Sequence, residues 1–417
     1  MSRLSLGRLV GGSAPTWAVA SQGMNSLSNV VLSIVVARSA TPDDFGRWSY
    51  GYIGFMIMYS IVRAGCVTPI LLRGTSALPV GHRRGALPVA VSLGAAIAGI
   101  VAGTAAFDSR LFSAVWPIAV VMPILAGVDV VRAIALQTQR NYLAAMIDAS
   151  WLLPQMALFA LLIRVDADSP ATMTLVWGAT GAVSLVAALL ALKIRPSFSY
   201  GKTFWRTESG QSWKIVADEL LIALRTQATP LAVTLFGGFA AAGTLRSGLT
   251  LMGVLNTLVL GMTPLATLAL AREAALGRKP WSQANRWATL VLALAVTNGL
   301  ALLAIPRDVG QQLLGDNWVG ARSVLVALII HSCLRGYITA APLVLRTRGH
   351  FNEALRMRTQ IEPVALLFPV AGAIFAGAEG AAWGYVIGGF ASTLQSVRGI
   401  SLSSRKDVRA RHSNVDS

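Results

Sequence analysis

Windows of about twenty apolar residues, bounded by clusters of charged or turn-forming residues, recur along the whole of this chain, the pattern of helices that cross a bilayer. They predict twelve spans, at about 14–36, 46–70, 86–107, 112–136, 142–164, 171–192, 212–236, 243–270, 286–305, 320–344, 359–377 and 379–397. All the loops between them are short. The longest is the polar stretch Lys193 to Gln211, which is the natural linker between two halves. The expected organisation is all-α and polytopic: a six-helix lobe over 1–192, a cytoplasmic linker over 193–211, a second six-helix lobe over 212–398 and a basic cytoplasmic tail over 399–417.

Composition narrows the class. Of the 417 residues 54% are apolar and 13% charged, against roughly 25% charged in a soluble domain, so a water-soluble globule is excluded. The apolar residues would fill on the order of eleven spans of ~20 residues, which leaves no room for a soluble catalytic domain of ordinary size. The N-terminal segment carries Arg3 and Arg8 and runs into a full-length apolar block without a small-residue cleavage site, so it reads as an uncleaved first span.

The net charge of +17 does not indicate nucleic-acid binding once the cations are sorted by side. With a cytoplasmic N-terminus, 24 cations fall inside and six outside, the latter being Arg38, Arg47, Arg110, Arg164, Arg307 and Arg322. That bias supports an even number of spans with both termini inside, in the cytoplasmic membrane. Cys66 and Cys333 lie far apart in apolar stretches, so no disulfide framework, metal cluster or other cofactor is expected.

A faint internal repeat accompanies this topology. Val36 to Gly54 overlays Val233 to Leu251 at an offset of 197, and Trp177-Gly178 overlays Trp383-Gly384 at an offset of 206. Both overlays preserve the alternation of sides, as two parallel six-span halves would.

Ionisable side chains inside spans are the candidate chemistry, because each costs ~2.5–3.5 kcal/mol on the insertion scale and should face a partner or a wet cavity. Arg63, Arg225 and Arg335 lie near the middle of spans two, seven and ten. Arg132 and Arg246 lie nearer span ends and could reach headgroups by snorkelling. The acids Asp129, Asp148, Asp218, Glu219 and Glu362 all fall in the cytoplasmic halves of their spans. Asp129 and Arg132 share a helix face three residues apart, and Asp218 and Arg225 share one seven apart; internal salt bridges are the alternative to a functional role for each. Arginine keeps its charge at any accessible pH and offers a planar fork to phosphate oxygens, whereas an organic-cation exporter needs carboxylates. Asp43 and Asp44 would be the metal-binding pair of a membrane glycosyltransferase or polymerase. Thr41-Pro42 before them already explains two acids as a helix start. His331, four residues before Arg335, reads as a helix-contact residue.

Several short motifs resemble those of polysaccharide or O-antigen flippases of the multidrug/oligosaccharidyl-lipid/polysaccharide (MOP) exporter superfamily. They are Val35-Val36-Ala37-Arg38 with Asp44-Phe45-Gly46, Phe236-Gly237-Gly238 with Ala241-Ala242-Gly243, and Leu313-Leu314-Gly315 with Trp318 and Ala321, spread through residues 10 to 398. The resemblance implies two six-helix lobes around a central cavity, alternating access, and transfer of an undecaprenyl-diphosphate-linked oligosaccharide to the outer leaflet for surface polysaccharide synthesis. It implies no enzymatic activity. The partners would be the lipid-linked glycan and membrane lipids, and a polymerase or glycosyltransferase partner stays unspecified. Related precursor flippases line their cavity with arginines, including in the second and eighth spans, where this chain has Arg63 and Arg246. Span one departs from that pattern, having no cation before Arg38. The drug-exporting branch has an acid in its first span and this chain has none, so a multidrug or small-metabolite antiporter is the alternative. The expected diphosphate ligands are therefore Arg63, Arg225, Arg335 and Arg246, with Asp129, Asp148, Asp218, Glu219 and Glu362 as cavity or coupling acids.

Overall fold

A computed structural model describes the chain except residues 1–13, 73–78, 348–350, 414–417 and scattered positions between 260 and 278, and without the side chains of 208–225, 402–413 and a few positions beside these gaps. Asp218, Glu219 and the Arg225 side chain therefore lie outside the described residues. Among the described residues there is no strand. The helices are α1 (Ala14–Ser39), α2 (Pro42–Val62), α3 (Thr68–Leu72), α4 (Val80–Ala105), α5 (Ser109–Gln137), α6 (Asn141–Arg164), α7 (Pro170–Leu192), α8 (Phe198–Leu251), α9 (Pro280–Leu303), α10 (Arg307–Leu314), α11 (Asn317–Thr347) and α12 (Phe351–Ser413). Local chemistry sets several of the ends. Asp108 accepts N–H bonds from Arg110 and Leu111 at the start of α5, and Ser169 accepts from Thr172 ahead of Pro170 at the start of α7.

Ten helical runs among the described residues are long and apolar enough to cross a membrane, against twelve expected spans. Two of those runs contain a break that hydrogen-bond continuity hides. In α12 the backbone leaves helical geometry at Ala376 and at Gly377, where φ is 54° and ψ −130°. The two arms then lie antiparallel: a β-carbon added at Gly372 would sit 2.0 Å from the Gly380 carbonyl oxygen, and one at Gly384 would sit 2.4 Å from that of Phe368. In α8, Gly238 adopts φ 78° and ψ 176°, and helix resumes beyond Leu251 over 253–259. Divided at these glycines, the ten runs become twelve helical segments among the described residues.

The chain forms two compact units, Met1–Ser39 with Arg47–Gln227, and Ala40–Gly46 with Ala228–Ser417. The polar stretch 193–211 is helical from Phe198, and its first turns pack on α4 in the first unit: Phe204 is fully buried with its ring 5.5 Å from His82.

In the first unit, α1 runs parallel to α6, because Ser21 meets Asp148 and Ser28 meets Gln155 at one constant separation of 127 residues. An aromatic core lies alongside. Phe55 packs edge-on to Trp177 at 5.2 Å, and Trp151 stacks on Trp177 at 5.7 Å while donating its indole N–H to the Trp177 carbonyl. Large apolar side chains such as Leu153 and Leu190 stay exposed on the outer faces, as lipid-facing helices require.

The second unit is closed by glycine contacts. A β-carbon at Gly46 would lie 1.7 Å from the carbonyl oxygen of Phe239, and one at Gly243 would lie 2.2 Å from that of Pro42. Helix backbones meet here without side chains between them, the close approach that small residues permit. Asn317 secures the same region by donating to the Ala40 carbonyl at 2.8 Å. Trp318 and Ala321 are buried beside it.

Two glycine substitutions separate these effects. Gly238→Ala places a side chain in a backbone region that only glycine tolerates and should cost about 1–3 kcal/mol. Gly46→Val drives side-chain atoms into a facing backbone and should lower membrane abundance and thermal unfolding midpoint more severely. Thermal unfolding in detergent checks both; a Gly46→Val protein as stable as wild type would contradict this packing.

Candidate functional site

Arg63 closes α2 at an unusual point. Residues Arg63–Val67 form a π-turn in which the Thr68 N–H bonds the Arg63 carbonyl five residues back. Pro69 follows, supplying no N–H to continue the ladder. Such wide turns are frequent at functional sites. The half-buried Arg63 guanidinium donates to the Tyr59 hydroxyl at 3.3 Å and lies 5.9 Å from the centre of that ring. Among the described residues it forms no ion pair.

Tyr59 is the hub of this region. Its hydroxyl donates to Asp129 Oδ1 at 3.4 Å and accepts from Arg132 Nη2 at 3.5 Å. Arg132 in turn binds Asp129 Oδ1 at 2.9 Å and approaches Asp148 Oδ2 at 3.7 Å, and Ser21 donates to the same Asp148 oxygen. All three charged members are buried, with relative exposures of 4% for Asp129, 5% for Arg132 and 1% for Asp148. The chain of contacts thus joins α2, α5, α6 and α1. A small cavity with room for about one water molecule opens beside it, lined by Asn25, Asn29, Tyr59 and Asp129 together with Phe55 and Trp151.

The second unit repeats one element of this arrangement. Arg335 on α11 donates to Asn256 Oδ1. Asn256 stands 197 residues after Tyr59, the offset of the first internal overlay, and Arg335 stands 203 after Arg132, between the two overlay offsets. Each unit therefore sets an arginine of its fourth span against a polar residue of its second. The difference lies in the neighbours. Where Arg132 has Asp129 three residues before it, Arg335 has Ser332, whose hydroxyl lies 3.7 Å from Met252 Sδ. Arg335 forms no ion pair among the described residues and is half-buried.

The sequence-based site residues therefore divide. Arg63 and Arg335 are held by neutral partners. Arg132 does not reach outward to headgroups; it is locked between two carboxylates. Asp129 and Asp148 pair with Arg132 and not with Arg63. Arg246 on α8 and Glu362 on α12 are half-buried. His331 Nδ1 meets the Tyr385 carbonyl at 2.8 Å, which makes it a contact between α11 and α12. Asp44 and Thr41 cap the start of α2 reciprocally, the Thr41 hydroxyl donating to Asp44 Oδ2 at 2.8 Å and accepting the Asp44 N–H at 3.2 Å. Tyr59, Asn256, Ser21 and the two asparagines of α1 escape a search for charges. The seven-residue spacing shared by Ser21/Ser28 and Asp148/Gln155 is the signal that would have found the α1–α6 contact.

Comparison with known proteins places this geometry in a fold. No family model matches the sequence, and no curated protein matches it either. Solved structures do. A multidrug resistance MATE family transporter of the MOP superfamily, in an inward-facing conformation, superposes with a TM-score of 0.62 over 98% of this chain and 97% of that one, at 14% identity. The lipid II flippase MurJ, inward closed, superposes with a TM-score of 0.65 over 93% of this chain and 90% of that one, at 9% identity. The Vibrio cholerae MATE transporter VcmN gives a TM-score of 0.56 over 94% and 98%, at 14% identity. The chain thus has the fold of MOP-superfamily transporters, a multi-pass membrane fold whose solved examples here are transporters and a flippase.

Removing one partner of a buried ion pair leaves an uncompensated charge, at a cost of about 3–5 kcal/mol. Arg132→Met should therefore collapse stability, and the combined Asp129→Asn, Arg132→Met, Asp148→Asn protein should recover much of it. Arg63→Ala, which frees no buried carboxylate, should unfold close to wild type. Thermal unfolding of the purified variants distinguishes these outcomes.

Proposed function

We propose that the protein is a flippase that carries a lipid linked through a diphosphate to a saccharide from the inner to the outer leaflet of the cytoplasmic membrane by alternating access, for cell-surface polysaccharide synthesis. The observation that carries this reading is the state of Arg63 and Arg335. A guanidinium in an apolar span that leans on a tyrosine or an asparagine keeps its full positive charge and most of its donors for an incoming anion. A diphosphate presents matching oxygens, and a guanidinium fork can meet them two at a time. Arg63 and Arg335 are the anion-receiving groups of their respective units, Arg225 and Arg246 are further ligands, and the isoprenoid tail stays in lipid. Asp129 and Asp148, neutralised by Arg132, hold the first unit's helices together, while Asp218, Glu219 and Glu362 are the candidate coupling acids. Both termini lie in the cytoplasm, following the distribution of cations.

The fold is shared equally with multidrug exporters, so a multidrug or small-metabolite antiporter is the second reading. It is favoured by the MATE likeness and disfavoured by a first span without an acid. Replacing Arg63 or Arg335 by Ala should reduce surface glycan by tenfold or more with membrane abundance unchanged, and Lys at either position should restore part of it. Glycan export that persists with both arginines removed would defeat the site assignment. Drug hypersensitivity of a deletion strain, with surface glycan intact, would favour the antiporter.

A further inference from the structure

The segment that follows the sixth span is built as a surface. Over residues 193–207 the chain carries Lys193, Arg195, Lys202 and Arg206 and no acid, the first being Glu208. All four cations are exposed. Helix α8 begins within this segment: Gly201 and Phe204 are buried, while Phe198, Lys202 and Trp205, spaced four and three residues apart along one helix face, are exposed. Phe198 is 75% exposed and Trp205 44%, so two large aromatic rings beside a lysine keep much of their surface uncovered.

The buried side fixes where this face looks. A β-carbon at Gly85 would lie 2.3 Å from the Tyr200 carbonyl oxygen, so the two backbones touch. The Ser197 N–H bonds the Arg84 carbonyl at 3.0 Å, and the Arg84 guanidinium stands 6.0 Å from the Tyr200 ring centre. The helix is thereby seated on the first two turns of α4, with five residues between its start and the end of α7 at Leu192. Both are ends of membrane-crossing helices, which puts the exposed face at headgroup depth.

We propose that residues 193–207 form a docking surface for the headgroups of acidic phospholipids, Lys202 and Arg206 taking the phosphate and Phe198 and Trp205 entering the boundary with the acyl chains. Clustered cations beside a span end are attracted to an anionic leaflet, each by about the same increment near the surface. Aromatic rings favour that depth because one side of it is apolar and the other wet. A soluble anion would account for the cations and leave the two rings unexplained. An acidic lipid accounts for both. The surface is independent of the transported substrate.

The test uses the purified full-length protein in neutral detergent micelles, titrated with phosphatidylglycerol, phosphatidylcholine or inorganic phosphate while its thermal unfolding midpoint is followed. Phosphatidylglycerol should raise the midpoint well beyond phosphatidylcholine. In the Lys202→Gln, Arg206→Gln protein the concentration needed should rise about thirty-fold, two cations' worth of surface attraction. A Phe198→Ser, Trp205→Ser protein should require more lipid with its charge preference retained. Because these four side chains lie on the surface, the variants fold as the parent does, which their midpoints in lipid-free detergent verify. The proposal is overturned if the glutamine variant responds to phosphatidylglycerol as wild type does, if phosphatidylcholine is equally effective, or if inorganic phosphate reproduces the effect at the same concentration.

Discussion

Hydrocarbon cannot solvate a charge, and that constraint orders everything in this molecule. Each backbone polar group must be satisfied within its own helix, which is why the described residues are helical almost throughout. Each cation that enters a span must find a partner or a use. Arg132 finds partners: two carboxylates from α5 and α6, buried with it. Arg63 and Arg335 lean on a phenol and an amide, neither of which cancels their charge. The contrast between like residues in comparable places of the two units is what the role proposed for the arginines rests on, since their mere presence in apolar spans would not carry it.

The motifs that resemble exporters have a different physical origin. Gly46 and Gly243 are positions where helix backbones touch, Trp318 covers Gly310, and Phe45 and Ala321 are buried. They specify how helices cross. A fold can host several transported chemistries, and likeness to both MATE transporters and a lipid II flippase at 9–14% identity speaks for the fold alone. The case for an anionic substrate therefore rests on the charges themselves.

Much of the architecture was legible because a bilayer imposes one length on every span. Windows of twenty apolar residues found the helices, and the turns at Gly238 and Gly377 fall where the chain was expected to leave the membrane. The Asp129–Arg132 pair was legible from its three-residue spacing. Its closure by Asp148 and Ser21 was not, because that depends on α1 and α6 running parallel, which no single-helix pattern encodes. Tyr59 and Asn256 were passed over since neither carries charge, yet each decides what its arginine can do. The π-turn at Arg63 had only the Thr68-Pro69 pair to announce it, and the basic helix start at Phe198 was hidden in what read as a linker.

The most direct measurement is equilibrium binding of a short-chain polyprenyl diphosphate to the purified protein, for wild type and for the Arg63→Ala and Arg335→Ala variants. Each lost charge-assisted contact is worth about 1.5–3 kcal/mol, so affinity should fall about ten- to a hundred-fold in each variant while a cationic dye binds weakly to all three. Undiminished diphosphate binding in the variants, or tight binding of the cation by the wild type, would contradict the assignment.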